Sequence, residues 1–237
     1  MQVYNYCRKA PVSEPRPKFR RESATQRKEA LIQAALGLIA EKGIGGATVR
    51  AIAQRADVTQ GLIRHYFSSK EDLIAAAYEY HMDQMTELTA TPVAAPEVTA
   101  RQRLCTFVAA GLTSPVMDTR SVTLWASFIS SLRHDNNMRA MHQRTYYNFR
   151  NRLEVLIAEA LAEAGKPAPK SELRRMAIAG NAVIDGLWME GGALPAAFEN
   201  GELAQIGLHS VGAIVGLKLD QNAPEQTDKN LLTKEEG

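Results

Sequence analysis

The sequence predicts an all-α protein of about nine helices, built as a small three-helix unit followed by a larger helical bundle. Apolar residues recur mostly at the i, i+3/i+4 spacing of helices rather than at the alternating spacing of strands. Hydrophobic residues make up 45% of the 237 residues, which is enough for a sizeable core. Gly and Pro are not enriched overall, and the main Pro and Gly clusters predict where helices end.

A flexible basic arm is predicted at residues 1–22, because three prolines alternate there with arginines and lysines. A first helix is predicted from about Thr25 to Lys42, since apolar side chains between them form one continuous stripe. Gly43 directly follows this stripe and is expected to end the helix.

Two short helices follow. Thr48 is placed to cap a second helix over 49–56, and Asp57 and Val58 form a tight turn. A third helix over about 59–66 begins at Thr59. Two short helices joined by a tight turn and braced by a longer one predict a helix-turn-helix unit at 23–70.

A long fourth helix, 69–88, is expected next, because Ser68 and Glu71 have the spacing of a capping box. The Pro-, Ala- and Thr-rich segment 89–99 predicts a connector. A second domain is predicted at 71–219, and the polar tail 220–237 is expected to be disordered. The further helices of this domain are predicted at 100–113, 119–134, 137–165, 171–193 and 201–218.

The charge is distributed unevenly along the chain. Residues 1–70 hold 13 Lys/Arg and 5 Asp/Glu, a net charge of +8, whereas residues 71–237 have a net charge of −6. A compact basic unit on an acidic body suits a protein that binds a polyanion. The alternative is a basic arm that is only a solvated tail, and charge alone does not separate the two.

The third helix offers one face for packing and another for contact. Ile63 and Phe67, at i and i+4, are expected to pack it onto the small unit, and Ala53 lets the second helix cross closely. The opposite surface carries side chains suited to DNA: amide and guanidinium groups for base edges, an apolar side chain for a thymine methyl, and groups for phosphates. These candidates are Thr48, Thr59, Gln60, Gly61, Leu62, Arg64, His65, Tyr66 and Lys70.

The run ATVRAIAQRADVTQGLIRHYFSSKEDLIAAAYE resembles the DNA-binding unit of the TetR family of transcriptional regulators. In that family the helix-turn-helix ends in an aromatic pair followed by a Ser-Lys-Glu stretch. The resemblance implies DNA contacts for Thr48, Gln60, His65, Tyr66 and Lys70. The role of Arg64 is inferred from its chemistry instead.

Later segments, TLWASFISSLRHDNNMRAMHQR and AIAGNAVIDGLWMEGGAL, are similar to the body of BetI-type, choline-responsive repressors. The residues themselves suggest a compatible ligand, because aromatic faces with a carboxylate suit a quaternary ammonium ion. The alternative is that these aromatic residues only pack the core. The candidate ligand-binding residues are Trp125, Phe128, Tyr146, Asp185 and Trp188.

The last two helices are the candidates for a homodimer interface, which the family resemblance also implies. Seven glycines lie on them, and glycine in a helix costs about 1 kcal/mol relative to alanine, so close helix approach is expected. The candidate interface residues are Gly180, Ile184, Leu203, Ile206, Ser210 and Ile214.

The sequence therefore predicts a cytoplasmic, dimeric repressor that binds a palindromic double-stranded DNA operator. A small-molecule effector, choline or another quaternary ammonium compound, would release it. The alternatives are a related regulator sensing an unrelated apolar ligand, and an activator. No catalytic motif, metal-ligand spacing, cofactor motif or membrane-spanning run is present, and Cys7 and Cys105 do not suggest a disulfide scaffold.

Overall fold

A computed structural model describes residues 23–90 and 98–220. These residues form nine α-helices and no strand, which confirms the all-α prediction for the described part of the chain. The helices are α1 (Ala24–Gly46), α2 (Val49–Arg55), α3 (Gln60–Tyr66), α4 (Lys70–Ala90), α5 (Ala100–Gly111), α6 (Thr119–Ile129), α7 (Asn136–Glu163), α8 (Lys170–Ala193) and α9 (Glu202–Val215).

Side-chain caps fix the starts of the first three helices. Ser23 and Gln26 form a capping box at the start of α1. The helix therefore begins at Ala24, one residue before the predicted start. Thr48 and Thr59 accept hydrogen bonds from amides in the first turns of α2 and α3, as their positions in the sequence predict. Gly43, at φ 68°, interrupts α1 where its end is predicted, although helical turns resume to Gly46.

The start of α4 differs from the prediction by one residue. Ser69, not Ser68, accepts the hydrogen bond from the amide of Asp72, at 3.0 Å. The Ser68 hydroxyl bonds the carboxylate of Asp72 instead, and Glu71 is exposed. The capping-box assignment was wrong because two adjacent serines and two adjacent acidic residues offer the same spacing in either register. At its other end α4 continues to Ala90, two residues into the predicted connector.

Two apolar clusters form the interior. The first joins α1, α2 and α3 to the first half of α4, to α6 and to the start of α7. The second lies among α5, α7, α8 and α9. Because residues before and after position 70 share the first cluster, the helix-turn-helix unit packs directly on the body.

Helices α4 and α7 run parallel and are tied in register. Three polar pairs join them, each between residues 65 positions apart in sequence: Asp72 with Asn137 (3.4 Å), Glu79 with Arg144 (2.6 Å), and Glu87 with Arg152. A less exposed hydrogen bond lies between these pairs and joins Tyr78 Oη and His142 Nδ1 at 2.6 Å. A shift of α4 along α7 would have to break this set of contacts.

Five of the seven glycines permit close packing inside the protomer, contrary to the expectation that they serve a dimer interface. Gly186 and Gly216 differ, because a Cβ there would meet no group of the described residues within 4 Å. A Cβ on Gly180 would contact Leu153 and Val211, at 3.5 and 3.8 Å. On Gly192 or Gly207 it would lie only 2.2 Å from a side chain of α6 or from Leu112, respectively.

Three predicted interface residues are accordingly corrected. Gly180, Ile184 and Leu203 are buried in the protomer's own interior, so they present no surface to a partner. Ile206 is 41% exposed, and Ser210 and Ile214 are half-buried.

Some predictions fall on residues outside the described ranges: the basic arm at 1–22, most of the connector, and the tail beyond residue 220. Within the described residues, no helix combines the length and apolar character needed to cross a membrane.

Candidate nucleic-acid interface and ligand cavity

Helix α3 is anchored on one side and open on the other. Ile63 and Phe67 are 2% and 7% exposed and lie in the first apolar cluster. The ammonium of Lys28, on α1, lies 5.6 Å from the centre of the Phe67 ring and covers that side of the anchor. The helix is thus held rigidly by its inner residues.

The outer surface of α3 is available for contact. Thr59, Gln60, Gly61, Arg64 and His65 are exposed. Leu62 and Tyr66 are half-buried, and the His65 and Tyr66 rings meet edge to face with centres 5.1 Å apart. The predicted contact residues of α3 therefore share one continuous surface.

Two predicted contacts lie beside α3. Thr48 is exposed at the start of α2, with its hydroxyl accepting from the Ala51 amide at 3.2 Å. Lys70 is half-buried, and its ammonium donates to the Ile44 carbonyl at 3.3 Å. An ammonium has three N–H groups, so this bond positions Lys70 and leaves donors for another group.

Arg50 is a further candidate DNA contact that the sequence did not single out. It is exposed on the first turn of α2, two residues after Thr48. Its position next to a predicted contact was the available signal. Arg55, on the same helix, is paired with Glu41 of α1 at 2.5 Å and serves the packing of α2 on α1 instead.

A cavity of about 70 Å³ lies between α4, α5, α6, α7 and α8. A single water needs roughly 10–15 Å³ of such space, so the cavity accommodates several waters or one small organic molecule. Four of the five predicted ligand residues line it. Its walls are formed by His81, Met82, Met85, Gly111, Val116, Trp125, Tyr146, Phe149, Asn181, Ile184, Asp185 and Trp188.

Phe128 is the exception, and its assignment to the ligand site was wrong. Its side chain is completely buried and packs against Tyr78, with ring centres 4.9 Å apart. Phe128 lies one helical turn from Trp125 on α6, so helical spacing alone could not show which of the two faces the cavity.

Among the described residues that line the cavity, Asp185 is the only acidic one, and no lysine or arginine accompanies it there. The Tyr146 hydroxyl and the Asn181 amide, the latter at 2.7 Å, both donate to its carboxylate. Partial burial raises the pKa of Asp185, while these two hydrogen bonds act in the opposite direction. The carboxylate is oriented by neutral donors, and within residues 23–90 and 98–220 no cationic side chain balances its charge.

The aromatic walls are held in place. The Trp125 and Trp188 rings meet nearly perpendicularly, with an interplanar angle of 80° and centres 6.1 Å apart. The indole N–H of Trp188 donates to the Val116 carbonyl at 2.9 Å. On another wall, the Tyr146 ring lies 4.6 Å from the His142 ring. Aromatic faces beside an unbalanced carboxylate form a site suited to a small organic cation.

Sequence reasoning missed the contribution of α4 to this cavity. His81, Met82 and Met85 come from that helix, and Asn181 precedes Asp185 by one turn of α8. The helical spacing of Tyr78, His81, Met82 and Met85 was a usable signal, but it equally fits ordinary core packing.

Two family comparisons cover most of the described chain. Residues 31–77 match the family described as "Bacterial regulatory proteins, tetR family". Residues 100–216 match the one described as "BetI-type transcriptional repressor, C-terminal". The first match covers α2, α3 and most of α1, and the second covers the body from α5 onward.

Individual proteins agree. The HTH-type transcriptional regulator BetI of Burkholderia thailandensis is 33% identical over 170 residues, covering 70% of this chain and 81% of that protein. A transcriptional regulator from Pseudomonas aeruginosa PAO1 superposes with a TM-score of 0.75 at 28% identity, covering 84% of this chain and 95% of its own. These relatives are transcriptional regulators rather than enzymes.

A more distant fold relative is a regulator from Saccharomonospora viridis whose structure was solved in complex with choline. It has a TM-score of 0.62 at 16% identity and covers 81% of this chain and 96% of its own. At this identity the likeness concerns the fold.

The unbalanced carboxylate generates a prediction about stability. The folded-state pKa of Asp185 lies above its unfolded value of about 3.9, so the folded protein binds more protons between the two values. Its ionisation therefore lowers stability as the pH rises through that window. Asp185→Asn should raise the free energy of unfolding at pH 7 by on the order of 1 kcal/mol, because it removes a partly buried, unpaired charge.

Urea denaturation at pH 7 and at pH 3.5 measures this effect. The gain should shrink at pH 3.5, where the wild-type carboxyl is also protonated. Glu154→Gln, a half-buried carboxylate on α7 that does not line the cavity, is the control and should change stability little at either pH. Destabilisation by Asp185→Asn at pH 7 would contradict the assignment.

Proposed function

The chain belongs to the TetR family of bacterial transcriptional regulators, and on that premise we propose that it is a dimeric repressor that a small organic cation releases from its DNA operator. The observation that carries the effector proposal is Asp185, an unbalanced carboxylate in an aromatic cavity. Such a repressor acts where its operator DNA is, in the cytoplasm.

DNA binding is assigned to the exposed surface of α3 and its flanks. Gln60 and Arg64 are exposed and have the hydrogen-bonding groups that read adenine and guanine edges. Thr48, Tyr66 and Lys70 lie around them and supply donors for phosphate oxygens. The anchored inner face of α3 keeps these groups in one arrangement, which lowers the entropy lost on binding.

The dimer interface is assigned to the outer face of α8 and α9. Ile178, Met189 and Ile206 are large apolar side chains exposed by 36%, 37% and 41%. Ser210 and Ile214 continue this face along α9. Two copies joined isologously through it would form a four-helix interface, with recognition helices about 34–36 Å apart, one turn of B-DNA.

The effector is proposed to be choline or another quaternary ammonium compound. Such a cation would balance the charge of Asp185, and each contact with a Trp or Tyr face could contribute about 0.5–2 kcal/mol. The cavity volume of about 70 Å³ suits a small molecule better than a long chain. The BetI-type family match and the choline complex of a fold relative support the same choice.

Helix α4 is proposed to carry the signal. Its Leu73 and Tyr78 lie in the apolar cluster that holds α3, whereas its His81 and Met85 line the cavity. A ligand that favours a position of α4 unsuited to the spacing of two major grooves would weaken DNA binding. Typical coupling of 1–3 kcal/mol corresponds to about 5- to 150-fold.

A second candidate is a regulator that senses an uncharged apolar molecule. The raised pKa of Asp185 and the apolar walls formed by Met82, Met85 and Val116 favour it. The same fold also permits an activator. Whether binding of the protein to its operator lowers or raises transcription would distinguish a repressor from an activator.

The first prediction concerns DNA. Gln60→Ala should relax the preference at one base pair, losing about 1–3 kcal/mol of discrimination. Tyr66→Phe should weaken binding to all sequences by about 0.5–1.5 kcal/mol, because a phosphate contact carries no sequence information. Binding to a set of single-base operator variants measures both, and the same profile from the two variants would contradict the assigned roles.

The second prediction concerns the effector. Calorimetry should detect choline binding at or below millimolar concentration, and choline should release the protein from the DNA upstream of its own gene in a gel shift. Asp185→Asn should weaken choline binding at least about tenfold, because the carboxylate balances the ammonium charge. The neutral isostere 3,3-dimethylbutan-1-ol is the control: equal binding of both compounds would favour the uncharged ligand and contradict the cation.

The third prediction concerns coupling. Tyr78→Phe removes the bond from α4 to His142 without touching the cavity wall. We expect choline affinity within about threefold of wild type, but a smaller loss of DNA affinity on adding choline. Tyr147→Phe, which removes an exposed hydroxyl on α7, is the control. Unchanged coupling in Tyr78→Phe would contradict the proposed role of this bond.

A further inference from the structure

His81 is a buried polar residue whose chemistry is not used by the cavity as described so far. Its side chain comes from α4, is 4% exposed, and forms part of the cavity wall that also carries Asp185. Its Nε2 makes no hydrogen bond to any group of the described residues. Buried polar atoms in folded proteins nearly always have a partner, so this atom needs an explanation.

The ring is neutral at physiological pH. Burial lowers the pKa of His81 to about 4, and Arg120 acts in the same direction, whereas the charge of Asp118 and a hydrogen bond of the ring with the Ser121 backbone oppose it. A neutral imidazole has one N–H donor and one acceptor nitrogen, and the tautomer decides which of them Nε2 is. A hydroxyl group both donates and accepts, so it satisfies Nε2 in either tautomer.

A carboxylate is a poor partner for the same position. It would only accept a hydrogen bond, and it would share the cavity with the negative charge of Asp185. An alkyl group would leave Nε2 without a partner. Among small cations, those that also carry a hydroxyl group therefore suit both polar groups of the cavity wall.

We propose that His81 determines effector specificity, by forming a hydrogen bond from Nε2 to a hydroxyl group of the cation that Asp185 balances. This inference rests on the proposed function, because it assumes a cationic effector in this cavity. It adds the second polar contact and assigns it to α4, the helix proposed to carry the signal. The hydroxyl contact thus lies on the element that must move.

The test compares choline with propyltrimethylammonium, in which a methyl group replaces the hydroxyl at nearly the same size. Calorimetry on the full-length wild-type protein should show choline binding about tenfold tighter or more, because the alkyl analogue leaves a buried nitrogen unpaired. His81→Phe should bind both ions with equal affinity and keep propyltrimethylammonium binding within about threefold of wild type. His81→Gln retains a donor and an acceptor and should restore part of the preference for choline.

His134→Ala, at an exposed histidine that does not line the cavity, is the matched control and should leave the preference unchanged. Equal binding of the two ions by the wild-type protein would overturn the role of His81 while leaving the cationic effector intact. Failure of both ions to bind would overturn the proposed effector and this inference with it. The wild-type comparison requires no variant, so it decides the matter even if His81→Phe does not fold.

Discussion

The packing of Ile63 and Phe67 into the cluster formed by α1 and α4 is the contact on which the rest of the structure depends. It turns a seven-residue helix, which would not be stable alone, into a rigid element with one free face. It also fixes that face relative to α4, because both helices bury side chains in the same cluster. A displacement of α4 would therefore also displace the outer surface of α3.

At its other end, α4 forms a wall of the cavity. There the charged and polar groups of the wall, not its packing, determine which ligand would bind. In the described part of the chain, Asp185 is oriented by Tyr146 and Asn181 but has no cationic partner, and Nε2 of His81 has no hydrogen-bond partner. Both features cost stability in the ligand-free protein. Functional sites commonly retain such costs, because the same groups gain most when a complementary ligand arrives.

Local signals predicted the fold well because they act within a few residues. Thr48 and Thr59 cap helices as their positions indicate, and Gly43 interrupts α1 where the helix was expected to end. The cap of α4 was off by one residue because Ser68 and Ser69 are equivalent by spacing.

The site was predicted less completely, because it depends on which face of each helix meets which neighbour. Trp125 lines the cavity and Phe128, one turn away, does not. The glycines correctly indicated close approach, but only the three-dimensional packing shows that Gly180 approaches Leu153 of its own chain. His81 was missed because an unpaired nitrogen has no signature in sequence.

Hydroxyl-radical footprinting on the DNA upstream of the gene tests most directly whether the free face of α3 enters the duplex as one of a symmetric pair. Two protected patches on the same side of the duplex, centred about 10 base pairs or a multiple apart, are the predicted result. A single patch, protection without that periodicity, or no protection of any tested sequence would contradict it.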